Sequence, residues 1–328
     1  SSSINAMVYV RGNPKDFDDW SAAGNSGWSY SELLPYFKRM ECWQNGGDNF
    51  RGGEGPLNVS DVASQLHPLC QNFIAAGEEI GFSFNPDMNG AEQEGVGHYQ
   101  ITTHLGRRMS TSRAYLRPVM KRKNLTVIMK AQVTRILFKG NQTIGVEFKK
   151  NKIIHQVKAN REVILSAGAV NSPQLLQLSG IGPESVLMDA KVPIIHHSPA
   201  VGKNLQDHLG VSYFYKSKVP TLNDQLSPWW GKILQGARYI LTRTGPLSLS
   251  VNQSGGFVRT RVGLKSPNIQ LYFSPVSYSL EPPGRRAMLN PDPFSAVLLG
   301  VSNCKSNSRG QIRIKNDNPM EPPIIEPN

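Results

Sequence analysis

Between Tyr30 and Trp43 the apolar residues Leu33, Leu34, Phe37 and Met40 recur at helical spacing, interrupted by Pro35. The same period predicts helices over Asp16 to Gly24 and Pro68 to Ile80, and a short one from Ser110 that Pro118 ends. At Leu125 the pattern shortens to alternation. Leu125 to Met129, Gln132 to Phe138, Thr143 to Phe148 and Ile153 to Val157 are β-rich runs separated by Gly, Asn and Lys turns, which predicts a small meander. A helix over Pro183 to Ala190 and a strand over Val192 to Ile195 follow. Beyond Gly210 strands are expected at Val211 to Lys216, Gly256 to Arg259, Ile269 to Phe273 and Ser295 to Val301, with one helix from Trp229 to Thr242. The fold class this implies is mixed α/β (α+β).

The stretch with most chemical content is Arg161 to Gly182. Val163 to Leu165 has the composition of a short buried strand, and Ser166, Ala167, Gly168 and Ala169 follow with almost no side-chain bulk. Ser172 is placed to cap a helix with Pro173 at its first position, Leu175, Leu176 and Leu178 on its buried stripe, and Gly180 just past its end. A small-residue turn leading into a helix lets backbone approach a phosphate or ribose, and the helix N-terminus favours an anion. An ordinary tight strand-to-helix turn reads the same way, and the residues alone leave both open.

Composition narrows the classes. With 39% hydrophobic and 18% charged residues in 328, the chain can bury a sizeable core, and no apolar run approaches the roughly 18 residues of a membrane span. The net charge of +12 permits an anionic partner, but there is no zinc-finger spacing, RNP-like string or continuous basic helix, so nucleic acid is not expected. Cys42, Cys70 and Cys304 are odd in number and far apart, against a disulfide framework or a zinc site. The aromatics Trp20, Trp28, Tyr36, Phe37 and Trp43 are expected in the core. Gly46 to Gly55 lacks phosphate-loop spacing and reads as a lid or an irregular connection. No G-x-G-x-x-G, HExxH, G-x-S-x-G or EF-hand loop occurs.

Three strings together resemble one family. Gly168, Ala169, Ser172, Pro173, Leu175, Leu176, Ser179, Gly180, Ile181 and Gly182 fall where the second signature of the glucose-methanol-choline (GMC) flavoprotein oxidoreductases has them. Ser1, Ser2, Ile4, Asn5, Tyr9, Gly12 and Asp18 are in register with the first signature, and VGKNLQDH at Val201 to His208 is similar to a further family string. The resemblance runs end to end and implies the central portion of a longer protein. Its expected organisation is an FAD-binding, Rossmann-like domain over 1–210 without its first strand and glycine fingerprint, substrate-domain residues at 211–302, and the opening of a C-terminal section at 303–328.

The resemblance also implies roles. Ser1, Asn5, Ala6, Met7 and Val8 would lie against the flavin, with the Asn5 amide able to donate and accept at its edge. Val133 would meet the adenine with its backbone, and Ser166, Ala167 and Gly168 would line the nucleotide half. From the residues alone Asn5 is equally a turn asparagine, and Val133 a plain strand valine. Some members link flavin through a histidine beside the signature asparagine; here that neighbour is Ile4, so FAD is expected without a covalent bond. No catalytic residue is assigned: the family's histidine base comes from a section after Asn328. His67, His98, His104 and His155 lack an orienting partner at recognisable spacing, His196 and His197 are adjacent, and His208 beside Asp207 belongs to the flavin-domain string. The implied activity is oxidation of the CH–OH group of a small-molecule alcohol by hydride transfer to flavin, in a choline dehydrogenase-like or related protein, with oxygen or a quinone as acceptor. A non-catalytic binding module or a lyase on the same fold stays open. A reducing, cytoplasmic setting is expected, with a peripheral membrane contact left open.

Overall fold

The computed structural model describes residues 2–279 and 290–328. Ser1 therefore lies outside the described residues. Contacts divide the chain into two units, one of Ser1–Leu125 with Leu209–Cys304 and one of Thr126–His208 with Lys305–Asn328. The segment 1–210 is thus shared between them at Leu125.

The first unit is built on a five-stranded antiparallel sheet in the order Gly210–Lys216, Ala296–Asn303, Ile269–Ser274, Ser254–Val258, Gly95–His98. Ala296–Asn303 alternates buried and half-buried along its length, the period of a strand with one packed face. Helix Leu69–Glu79 covers the sheet, its Ile74 meeting Val96 and Val258 and its Phe73 stacking on Phe273 at 5.0 Å. Helices Pro14–Ala22 and Tyr30–Met40 each begin with a capping box, Asn13 with Asp16 and Ser29 with Glu32. The expected aromatic core is corrected here. Trp43 is buried, but Trp20, Trp28 and Tyr36 are at least half exposed; Trp20 and Trp28 form a surface cluster with Phe17, which meets Trp20 and Phe37 edge-on or tilted at 5.4 Å, while Tyr36 lies beneath Arg39.

The second unit holds the meander Gln132–Lys139, Gln142–Lys150, Ile153–Lys158 and the helix Gly168–Leu178. A three-stranded antiparallel sheet orders Lys203–Leu205, Gly310–Arg313 and Ile324–Glu326. Leu187, Ala190, Val192 and Ile314 form its core with Leu178 and Val186. Four expectations fail. Leu125 to Met129 and Val163 to Leu165 are irregular and not strands, because a strand exists only by pairing and neither pairs with any strand among the described residues; Ile164 is 78% exposed. Val192 to Ile195 is irregular, and the pairing falls one step later, His196–His197 beside Ile181–Gly182. The helix begins at Gly168 rather than Ser172. Pro173 is tolerated inside it because the carbonyl it leaves without an N–H, that of Ala169, sits in an exposed first turn where water can bond it.

Candidate functional site

In the first unit, the segment Asn5 to Arg11 is fixed through its backbone. Val8 bridges Ile101 in antiparallel fashion, Tyr9 N–H donates to the Gln100 carbonyl at 2.9 Å, and the Met7 carbonyl accepts from Thr102 N–H at 2.8 Å and its hydroxyl at 3.1 Å. Met7 takes φ 70°, a left-handed conformation that an unbranched non-glycine residue adopts only where its surroundings hold it. Its side chain packs on Val62, Ile101 and Leu249. Arg108 anchors the preceding turn by donating to the carbonyls of Asn5 at 2.7 Å and Ser2 at 3.2 Å. Asn5 itself is exposed, and its amide makes no hydrogen bond among the described residues.

Beneath this segment is a buried charge network that the residue pattern did not reveal. Glu41 accepts from Arg51 Nε at 3.0 Å, from the Gly52 N–H at 3.0 Å and from Arg11, while Arg51 also grips Asp87 at 2.7 and 2.8 Å and the Gln100 amide oxygen at 2.9 Å. Asn89 closes the circuit, donating to the Tyr9 carbonyl at 3.0 Å and accepting from the Arg11 N–H at 2.7 Å. The Arg51 guanidinium lies over the Trp43 ring at 4.3 Å, and its carboxylate partners hold its pKa above the ordinary arginine value against the effect of burial. Gly46 to Gly55 is accordingly an irregular connection clamped in place. A Cβ on Gly52 would stand 1.8 Å from the Lys38 carbonyl oxygen, so only glycine allows that approach.

In the second unit, Ser166, Ala167 and Gly168 are exposed at the start of helix Gly168–Leu178. No side chain caps this helix and its first turn holds no acidic residue, so its leading N–H groups are open to an anionic ligand. Gly168 has φ 90°, and no atom lies within 4 Å of where its Cβ would be. The far end of the helix is tied to the strand that carries Val133: Ser179 Oγ donates to the Leu175 carbonyl at 2.6 Å and accepts from the Ile136 N–H at 2.8 Å. Val133 is half-buried opposite Phe148, and a bulge at Thr134 follows it.

His67, His98 and His155 are each engaged by neighbours in the fold. Burial lowers the pKa of His67 and His98, which favours the neutral ring; His67 Nδ1 accepts the Leu69 N–H at 3.2 Å, and His98 Nδ1 lies 3.1 Å from Ser254 Oγ. His155 stacks on Phe148 at 5.2 Å.

Residues 1–210 match the model of the GMC oxidoreductase family. The chain belongs to the GMC oxidoreductase family. It is 46% identical over 330 residues to the oxygen-dependent choline dehydrogenase of Photobacterium profundum, covering 99% of this chain and 56% of that protein. To the mitochondrial choline dehydrogenase of Mus musculus it is 40% identical, covering 100% of this chain and 54% of that protein. Among solved structures, pyridoxine 4-oxidase from Mesorbium loti superimposes with a TM-score of 0.83 at 32% identity, covering 100% of this chain and 60% of that one. The chain thus spans little more than half the length of the relatives it matches. Its mixed helix and strand architecture is that of GMC flavoproteins. Among the described residues, no helix is long and apolar enough to cross a membrane.

Proposed function

We propose that the whole protein to which this chain belongs is an FAD-dependent oxidoreductase of the CH–OH group, acting on choline or a closely related small alcohol. The observation that carries this reading is the 46% identity to an oxygen-dependent choline dehydrogenase across 99% of the chain. Bound FAD supplies the two-electron acceptor for the alcohol carbon. On this reading 1–210 contributes to the flavin domain, 211–302 to the substrate domain and 303–328 to the start of the C-terminal section.

The residues present fit such a group. The uncapped, exposed first turn at Gly168, with open room where a side chain would project, suits the nucleotide half, along with Ser166 and Ala167. The exposed Asn5 amide, held at its carbonyl by Arg108, is the polar group offered at the flavin edge, and Ala6, Met7 and Val8 present backbone beside it. Val133 is assigned to the adenine. Ile4 offers no nucleophile, so the flavin is held without a covalent bond. The acceptor named for the bacterial relative is oxygen, which is the acceptor proposed here, in a cytoplasmic setting.

The test is anaerobic mixing of the full-length protein with choline while the flavin absorbance is followed. Bleaching supports the reading. Stoichiometric flavin that no alcohol bleaches would overturn it in favour of a binding module or a lyase. Acid precipitation of the same protein should release the flavin into the supernatant.

A further inference from the structure

The segment Asn5 to Val8 is held by two side chains that stand on one rigid piece of chain. Thr103–His104 and Arg107–Arg108 pair as an antiparallel hairpin, closed by Leu105 and Gly106 at φ 49° and 66°, the positive values a two-residue turn requires. Thr102 lies at its base, where its carbonyl accepts the Met109 N–H at 2.9 Å. The hairpin is anchored at both ends. At the base, Ile101 is 1% exposed and exchanges backbone hydrogen bonds with Ser60 at 2.8 and 3.2 Å, while Ser60 Oγ donates to the Thr103 carbonyl at 2.8 Å. At the tip, a Cβ on Gly106 would stand 1.9 Å from the Arg243 carbonyl oxygen, so the backbone is seated directly on that residue.

From this hairpin Thr102 gives its N–H and its hydroxyl to the Met7 carbonyl, at 2.8 and 3.1 Å. Arg108 gives one guanidinium nitrogen, Nη1, to the carbonyls of Asn5 at 2.7 Å and Ser2 at 3.2 Å, and Ser2 is fixed again where its Oγ accepts the Thr111 N–H at 3.1 Å. A carbonyl oxygen held by a donor fixes its whole planar peptide unit. The Asn5–Ala6 and Met7–Val8 peptides are therefore pinned, and the Ala6–Met7 peptide closes the gap between them, with Met7 at φ 70°. Left-handed backbone costs free energy in a residue that carries a Cβ, and it persists at Met7 because the peptides on both sides are tied down. Freed of either tie, the Ala6–Met7 peptide can turn over and Met7 relax.

Where this segment meets a flavin, the two ties decide which of its polar groups face the ring. Hydrogen bonds to the ring tune its electronics, and because reduction makes the ring richer in electrons, a donor held against it favours the reduced form. We propose that Thr102 and Arg108 are positioning residues that raise the reduction potential of the bound flavin by holding Asn5 to Val8 in this strained form, an inference that rests on the function proposed above.

The test uses the full-length protein at saturating FAD, with the midpoint potential of the bound flavin read by equilibration against reference dyes. Thr102→Val keeps the backbone bond to Met7 and removes only the hydroxyl; it should favour the reduced flavin about tenfold less, a fall of about 30 mV for a two-electron couple. Thr102→Ser returns the hydroxyl and should restore the parent value. Arg108→Met loses both carbonyl bonds and should fall by at least as much as Thr102→Val. A purely structural role would lower the melting temperature and leave the potential of the folded, loaded protein where it was. The parent potential in Thr102→Val or in Arg108→Met, or a Thr102→Ser value as low as that of Thr102→Val, would overturn the proposal; Thr102→Val alone decides it if Arg108→Met does not fold. A full-length parent that takes up no FAD would overturn the proposed function and this inference together. Flavin that choline bleaches in every variant at one unchanged potential would overturn this inference alone.

Discussion

Arg51 and Glu41 meet with both side chains wholly removed from solvent, while Asp87, the other carboxylate that Arg51 holds, keeps 27% of its side chain exposed. The two acids are therefore not equivalent. Loss of charge at Glu41 leaves two buried guanidinium groups, Arg11 and Arg51, short of an acceptor with no water to replace it. Glu41→Gln should cost about 3–5 kcal/mol, and Asp87→Asn distinctly less, as read by denaturant unfolding. Equal losses in the two variants would refute the distinction. The double variant Glu41→Gln/Arg51→Met should cost less than the sum of its singles, since the two share one interaction.

At Gly168 the structure separates two effects. A side chain there meets nothing in the chain itself, so Gly168→Val should introduce chiefly backbone strain, about 1–2 kcal/mol for leaving glycine's permissive conformations. Flavin content per folded full-length protein should nevertheless fall sharply, through exclusion of the nucleotide from that room. A lowered melting temperature with full flavin content would assign Gly168 to packing alone.

Cys70 is 1% exposed, and burial pushes its thiol up to about 11. At neutral pH its thiolate fraction is then roughly 300-fold below that of an ordinary thiol of pKa about 8.5. Iodoacetamide should leave Cys70 unmodified in the native protein and alkylate it only in denaturant, with peptide mass spectrometry as the readout. Modification of Cys70 as fast as the half-buried Cys42 in native buffer would contradict this.

Glu147 accepts from Arg135 at 2.9 Å, Thr134 at 2.9 Å and Gln156 at 3.2 Å, and its carboxyl pKa is lowered, chiefly by the Arg135 hydrogen bond. A lowered folded-state value means stability that is present above the unfolded carboxylate pKa, about 4.3, and is lost as pH falls through the folded value. Arg135 is 55% exposed, so solvent limits the contribution to about 1 kcal/mol. Glu147→Gln should flatten the acid side of the melting-temperature profile below about pH 5 and leave its slope near neutrality unchanged. An acid limb identical to that of the parent would remove Glu147 from the account.

Periodicity located the elements that need only their own residues. Helix Trp229–Thr242 and four of the five strands of the large sheet fall within two residues of expectation because their period is carried by neighbouring residues, whereas the fifth strand, Gly95–His98, was not expected. Val163 to Leu165 failed for the opposite reason, since its composition permits a strand that only a neighbour can make. The candidate residues Asn5 to Val8 and Ser166 to Gly168 were legible as family strings, but not their supports. Arg108, Thr102 and Asn89 act through backbone groups distant in sequence, and nothing in their spacing announces it. Two signals were present and unread: an arginine at the centre of the glycine loop, and Gln177 interrupting the apolar run of Leu175, Leu176 and Leu178.

That glutamine has a consequence for how the chain is made. Fully buried, Gln177 donates to the Ile312 carbonyl at 3.0 Å and the Val201 carbonyl at 3.3 Å, and accepts from the Ile314 N–H at 2.9 Å. Two of these partners, Ile312 and Ile314, emerge from the ribosome 135 and 137 residues after it does. Throughout the interval, which spans the whole Leu209–Cys304 portion of the other unit, the helix of the second signature carries a polar side chain without the strand it is built to meet. Native closure of that helix against the last strands is thus a late event of synthesis, and a nascent chain stalled before Ile312 should remain open to protease at Val201.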